Sequence, residues 1–163
     1  MSQPPVDVPH HFQETDHTCG PAALKMVLES LWGTVLDEDE LAELLATDHP
    51  NGTGQRAIEV LLSRSGLAVR SFDTETTLDE LRPLLAQGHV IIVLYYLEVQ
   101  STDHYAVVTA IDDQHVVLSD PLLGPDIRLP RAEFESSWES RENIPGRRDR
   151  WALAVRNRGV SPV

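Results

Sequence analysis

One cysteine, Cys19, stands in a chain of 163 residues. No intrachain disulfide can form, which suits a reducing compartment and points to a cytoplasmic protein. Long hydrophobic runs are missing too. The longest, Val90 to Leu97, falls well short of the ~20 apolar residues that a transmembrane helix needs. The N-terminal stretch has neither a basic n-region nor an apolar h-region, so no secretory signal is visible. Basic residues are scarce: 13 Lys and Arg face 26 Asp and Glu, for a net charge of −13, and Lys25 is the only lysine. That excludes general nucleic-acid binding, which rests on cations neutralising phosphates. The negative surplus serves solubility and favours approach of a cationic peptide. The few basic residues thicken late, at Arg141, Arg147, Arg148, Arg150, Arg156 and Arg158, which reads as a solvated loop with salt bridges. There is no Walker motif, internal repeat or low-complexity linker. A single domain over 1–163 is expected, with its core at about 10–155.

What is present centres on Gln13 to Leu31. Leu24, Val27, Leu28 and Leu31 recur at helical spacing and form one stripe of an amphipathic helix. Thr18 suits the N-cap, and Pro21 then falls in the first turn, where a missing N–H costs little. Cys19 is thereby placed at the positive end of a helix, where free N–H groups and the dipole favour a thiolate. A lone cysteine is usually a small buried hydrophobe. Here Gln13 upstream and a later His and Asp make it a candidate nucleophile.

Further on, Asp37 and Glu40 form a capping-box pattern for a second helix, with Leu36 and Leu41 at the staple positions and Leu41, Leu44 and Leu45 facing the core. After the turn cluster Asn51-Gly52-Thr53-Gly54, Thr53 is expected to cap a third helix with Ile58, Leu61 and Leu62 inward, ended at Gly66. Leu67 to Phe72 reads as a strand. Thr77 to Gln87 is helical, kinked or shortened by Pro83. Val90 to Leu97, His104 to Ile111, His115 to Asp120 and Trp151 to Val155 read as strands, and Arg131 to Trp138 as a short helix. Helices first and mostly antiparallel strands later predict an α+β fold, a helical half meeting a sheet half at a cleft.

Cysteine catalysis needs a base for the thiol, an orienter for the base, and donors for the oxyanion. His104 is the best base, since it opens a strand from which a side chain can reach a cleft. If Ile111 pairs with His115 across a three-residue loop, Asp120 lies opposite Ala106, a diagonal neighbour of His104 on the same face. A two-residue turn at Asp113-Gln114 would send Asp120 to the other face. The chemistry therefore predicts an odd loop.

Gln13, five residues, Cys19-Gly20-Pro21-Ala22-Ala23-Leu24, then His104-Tyr105-Ala106-Val107-Val108, then Ser119-Asp120-Pro121 together resemble the bacteriocin-processing cysteine peptidases. These are papain-like domains, often fused to peptide exporters, that cut leader peptides after a double glycine. The resemblance spans roughly residues 10 to 155 and includes the Gly52-Thr53 loop and the Gly88-His89-Val90-Ile91 strand entry. It implies a papain-like fold, with Cys19 as nucleophile, His104 as base, Asp120 as orienter and Gln13 as oxyanion donor beside the Cys19 N–H. It also implies a peptide or protein substrate and no cofactor. With no membrane-spanning run or Walker motif in the sequence, a stand-alone domain is expected. Three other readings use some of the same residues. An acyl-enzyme could pass to an amine, as in a transglutaminase-like enzyme on this fold. The domain could bind peptides without cutting them. Or His10, His11, His17 and Cys19 could hold a metal, although their spacing matches no zinc pattern.

Overall fold

The computed structural model describes residues 6–48, 51–139 and 147–159. Among them the chain runs α1 (Cys19–Trp32), α2 (Glu38–Leu44), α3 (Gln55–Arg64), β1 (Ala68–Phe72), α4 (Leu78–Leu85), β2 (Val90–Leu97), β3 (Thr102–Ile111), β4 (His115–Asp120), β5 (Gly124–Pro130), α5 (Arg131–Ser137) and β6 (Ala152–Arg156). The strands form one antiparallel sheet in the order β1-β6-β2-β3-β4-β5. β2 is apolar throughout because both of its faces are covered. Val90, Ile92 and Leu94 pack with Tyr105 and Val107 against residues of α1, α2 and α3. Ile91, Val93, Tyr95 and Leu97 turn the other way, toward α4 and α5. The fold is α+β, but the helices are not all on one side, since α4 and α5 close the far face.

Most elements arise where the periodicity puts them, and the exceptions have local causes. Thr18 is the N-cap residue of α1 but makes no capping bond. Its hydroxyl donates instead to Glu38 Oε2 at 2.9 Å. Thr53 does not cap α3 either: Gly54 holds that place, and Thr53 Oγ1 shares a hydrogen bond with Thr47 Oγ1 at 2.6 Å. Leu44 is exposed rather than inward, because α2 ends there and Leu45 takes the core position. Pro83 is accommodated in a two-turn helix whose start is fixed by a full capping box between Thr77 and Glu80. β5 is not visible in the sequence pattern because Gly124, Pro125 and Pro130 mask its alternation. As an edge strand it tolerates proline. Of the late basic residues, Arg141 lies outside the described residues. Arg147 is nearly buried beside Asp103, with Nε 2.8 Å from the carboxylate, so that stretch is not simply a solvated loop.

The β3–β4 hairpin departs from the expected odd loop. Asp112 N–H donates to the His115 carbonyl at 2.9 Å, which leaves the two-residue turn Asp113-Gln114, and Ile111 pairs with Val116. Neither turn residue has positive φ. The Asp112 carboxylate braces the turn by accepting from Gln114 N at 2.8 Å and His115 N at 2.6 Å, which is why no glycine is required. Continued regularly, this register would turn Asp120 away from His104. A β-bulge at Thr109, between the pairs Val108↔Leu118 and Ala110↔Val117, adds one residue to β3 and restores the parity. Ser119 then faces Val107, which carries Asp120 to the level of Ala106 on the His104 face.

Candidate active site

Cys19 begins α1 and is partly exposed. The first N–H groups of the helix have no intrahelical acceptor. Gly20 follows because nothing larger fits: a Cβ there would stand 2.5 Å from Thr53 Oγ1 and 2.6 Å from Thr53 Cβ. Thr53 is held in that position by Thr47 and by the Tyr105 hydroxyl, which donates to the Thr53 carbonyl at 2.7 Å. The 51–54 loop is thus clamped against the start of the helix. Gly20→Ala is expected to destabilise the protein by about 1–3 kcal/mol through overpacking. Adding Thr53→Gly should recover most of that loss in denaturant unfolding. A Gly20→Ala protein with wild-type stability would show that the loop yields freely.

His104 and Asp120 are both fully buried. His104 Nε2 lies 2.7 Å from Asp120 Oδ1. The acceptor is a carboxylate, so Nε2 carries the proton in the neutral ring and Nδ1 keeps its lone pair. Nδ1 is buried without a hydrogen-bond partner among the described residues, and Cys19 is near enough to act electrostatically on the ring. Asp120 Oδ1 also accepts from Leu122 N at 2.8 Å and Leu123 N at 3.0 Å. Asp120 Oδ2 accepts from the Tyr95 hydroxyl. Burial pushes the Asp120 carboxyl up, but the donors His104, Tyr95 and Leu123 outweigh it and hold the group below its ordinary value. Burial likewise lowers the His104 pKa, and Asp120 and Cys19 more than reverse this, raising it from 6.5 to about 9. The ring is thus held as an imidazolium well above neutral pH.

Gln13 is brought to the same end of the molecule by the N-terminal arm. Its N–H donates to the Pro121 carbonyl at 2.8 Å, directly after Asp120. Glu14 N–H donates to Glu38 Oε2 at 2.7 Å, and Thr15 N–H to Thr18 Oγ1 at 3.1 Å. The arm therefore lies between the Asp120 turn and the start of α1. The Gln13 amide donates one N–H to the Thr15 carbonyl at 2.7 Å, which leaves the second, while Oε1 is buried without a partner. Two residues that sequence reasoning missed are structural neighbours here. Glu38, buried at the start of α2, ties the arm to Thr18. Tyr95 braces Asp120. Neither carries a motif, and only the register places Tyr95 opposite His104.

His10, His11 and His17 each have partners other than Cys19. His10 Nε2 donates to the Asp120 carbonyl at 2.8 Å, and His11 pairs with Glu29. His17 Nδ1 lies 3.1 Å from Asp16 Oδ1. They are not gathered around Cys19, and among the described residues no group of three or more His, Cys, Asp or Glu is placed to hold a metal. Nor is any helix of the described residues long and apolar enough to cross a membrane.

A cysteine at a helix start together with a buried His–Asp pair on a sheet is the residue set of papain-like cysteine hydrolases. The comparisons narrow this class. A family profile described as Peptidase C39 family matches residues 7–142, and the chain belongs to that family of cysteine peptidases. An uncharacterized protein of Methanothermobacter thermautotrophicus is 38% identical over 113 residues, covering 69% of this chain and 71% of the relative. The peptidase domain of Streptococcus ComA, a bifunctional ABC transporter involved in a quorum-sensing pathway, superposes with a TM-score of 0.72 at 20% identity, covering 93% of this chain and all of the other. A double-glycine-motif protease from an AMS/PCAT transporter, solved with its leader peptide, gives a TM-score of 0.69 at 18% identity, covering 95% of each chain. The resemblance read from the sequence is thus borne out at the level of family and fold.

Proposed function

We propose that this cysteine peptidase hydrolyses peptide bonds through Cys19, His104 and Asp120, with Gln13 as oxyanion donor, and that its substrates are leader peptides cut after a double glycine. The observation that carries the reading is the buried His104–Asp120 bond of 2.7 Å, which leaves the other imidazole nitrogen without a hydrogen-bond partner among the described residues. In the first step the Cys19 proton is held on His104 Nδ1, and the thiolate sulfur attacks the scissile carbonyl carbon. The oxyanion that forms is met by the Cys19 N–H and the second N–H of the Gln13 amide. The His104 imidazolium gives its Nδ1 proton to the leaving amine as the C–N bond breaks. Water then attacks the thioester, His104 takes its proton, and the thiolate leaves with the acid product. Asp120 keeps the imidazole in one tautomer and direction throughout. The double-glycine preference is supported by the neighbour solved with its leader peptide.

A peptide-library digest read by mass spectrometry tests this, with Cys19→Ala as the blank. Cuts after Gly-Gly with a free carboxylate are expected. Cuts at unrelated positions would overturn the substrate class, and amide products in an amine buffer would indicate acyl transfer.

The raised His104 pKa sets a pH dependence. Leaving-group protonation needs the imidazolium, so kcat/KM is expected to fall as pH rises through about 9. Asp120→Asn removes a charge that raises this pKa, so the limb should move down toward the ordinary 6.5. Stability follows the same sign. The His104 contribution is complete below 6.5 and is lost as pH rises through about 9. A profile flat through pH ~10 would rule out this role for the imidazolium.

A further inference from the structure

Tyr95 lies opposite His104 in the β2–β3 pairing, and the two rings meet edge-on, with centroids 5.9 Å apart and an interplanar angle of 77°. Its hydroxyl donates to Asp120 Oδ2. The two carboxylate oxygens are loaded unequally. Oδ1 takes His104 at 2.7 Å, Leu122 N at 2.8 Å and Leu123 N at 3.0 Å, whereas Oδ2 has Tyr95 as its one donor among the described residues. We propose that Tyr95 is a positioning residue, whose hydroxyl fixes the rotation of the Asp120 carboxylate so that Oδ1 stays in line with His104 Nε2–H.

The proposal rests on the catalytic reading of His104 and Asp120. The torsion that turns a carboxylate about its Cβ–Cγ bond is broad, so rotamer preference alone does not hold it. Without the phenol, Oδ2 would be a buried oxygen with no donor, and a carboxylate in that state turns to share the donors it has. The Tyr95 ring cannot follow such a movement, because it is buried and packed against Phe134 with centroids 6.0 Å apart. Burial and the Asp120 charge also push the phenol well above its ordinary range, so it stays a donor over the whole working pH range.

Tyr95→Phe keeps the ring and removes the hydroxyl. It is expected to lower kcat by about 10- to 100-fold, the loss of a hydrogen bond to a charged group, with KM unchanged because the phenol hydroxyl is buried against Asp120. The low-field proton resonance of His104 Nε2–H, read by NMR, should move upfield or broaden away. In an Asp120→Ala background the same substitution should cost nothing further, since Tyr95 acts through that carboxylate. A merely structural tyrosine would give an additive loss there and leave the resonance in place. Either of those results, or wild-type kcat in Tyr95→Phe, would overturn the proposal. If Tyr95→Phe lowers stability, all measurements are made well below its unfolding midpoint. A wild-type protein that cuts no peptide would overturn the peptide-cleavage reading instead, because the resonance reports the His104–Asp120 bond without any substrate.

Discussion

Cys19→Ala and His104→Ala are each expected to reduce peptide turnover by about 10⁶-fold, the order found when one member of a nucleophile–base pair is removed. The two losses should be alike because the groups act as a unit: without His104 nothing holds the Cys19 proton or protonates the leaving amine, and without Cys19 there is no nucleophile to serve. His17 provides the control, being only two positions from Cys19 and therefore the rival base in the sequence. Its ring is about one-third exposed, and its Nδ1 lies 3.1 Å from Asp16 and 3.3 Å from Thr15 Oγ1. His104 by contrast is fully buried and bonded to a carboxylate at 2.7 Å. His17→Ala should therefore change turnover only modestly. Covalent labelling by a thiol-directed affinity probe should vanish in Cys19→Ala and depend on His104. Turnover that survives in His104→Ala and is lost in His17→Ala would move the base to the loop.

Gln13→Ala is expected to lower peptide cleavage by about 10²–10³-fold while leaving Cys19 alkylation nearly intact. The difference between the two readouts follows from the step involved. An oxyanion donor acts on the tetrahedral intermediate and does little for the resting thiol, so a small alkylating agent does not need it. The arm keeps its place without the side chain. It is held by backbone donors, Gln13 N–H to the Pro121 carbonyl and Glu14 N–H to Glu38, which the substitution leaves alone. Gln13→Glu sharpens the test. It keeps length and shape, loses both amide N–H groups and brings a negative charge toward the oxyanion, so it should be at least as slow as Gln13→Ala. Cleavage by Gln13→Ala equal to wild type would remove the oxyanion role and leave the Cys19 N–H as the donor to account for.

The sequence by itself determined what depends on near neighbours along the chain. The stripe Leu24, Val27, Leu28 and Leu31 with Pro21 in the first turn places Cys19 at a helix start, and α1 begins there. The unbroken apolar run from Val90 to Leu97 matches the bounds of β2 residue for residue. The spacing of Gln13, Cys19, His104 and Asp120 was enough to reach the family. Tertiary structure decided what depends on pairing and packing. The short turn at Asp113-Gln114 would by itself put Asp120 on the wrong face, and a bulge at Thr109 corrects it. A bulge is a choice between two registers made by both strands together, and no residue type at 109 announces it. Thr53 and Thr18 look like caps because cap preference is local. They serve other partners because Gly20, Thr47 and Glu38 arrive from elsewhere in the chain. Tyr95 reads as one more residue of a buried strand. Its polar end acquires a task only when β4 brings Asp120 alongside, because a phenol buried in a sheet must find an acceptor and this one is the carboxylate that holds His104.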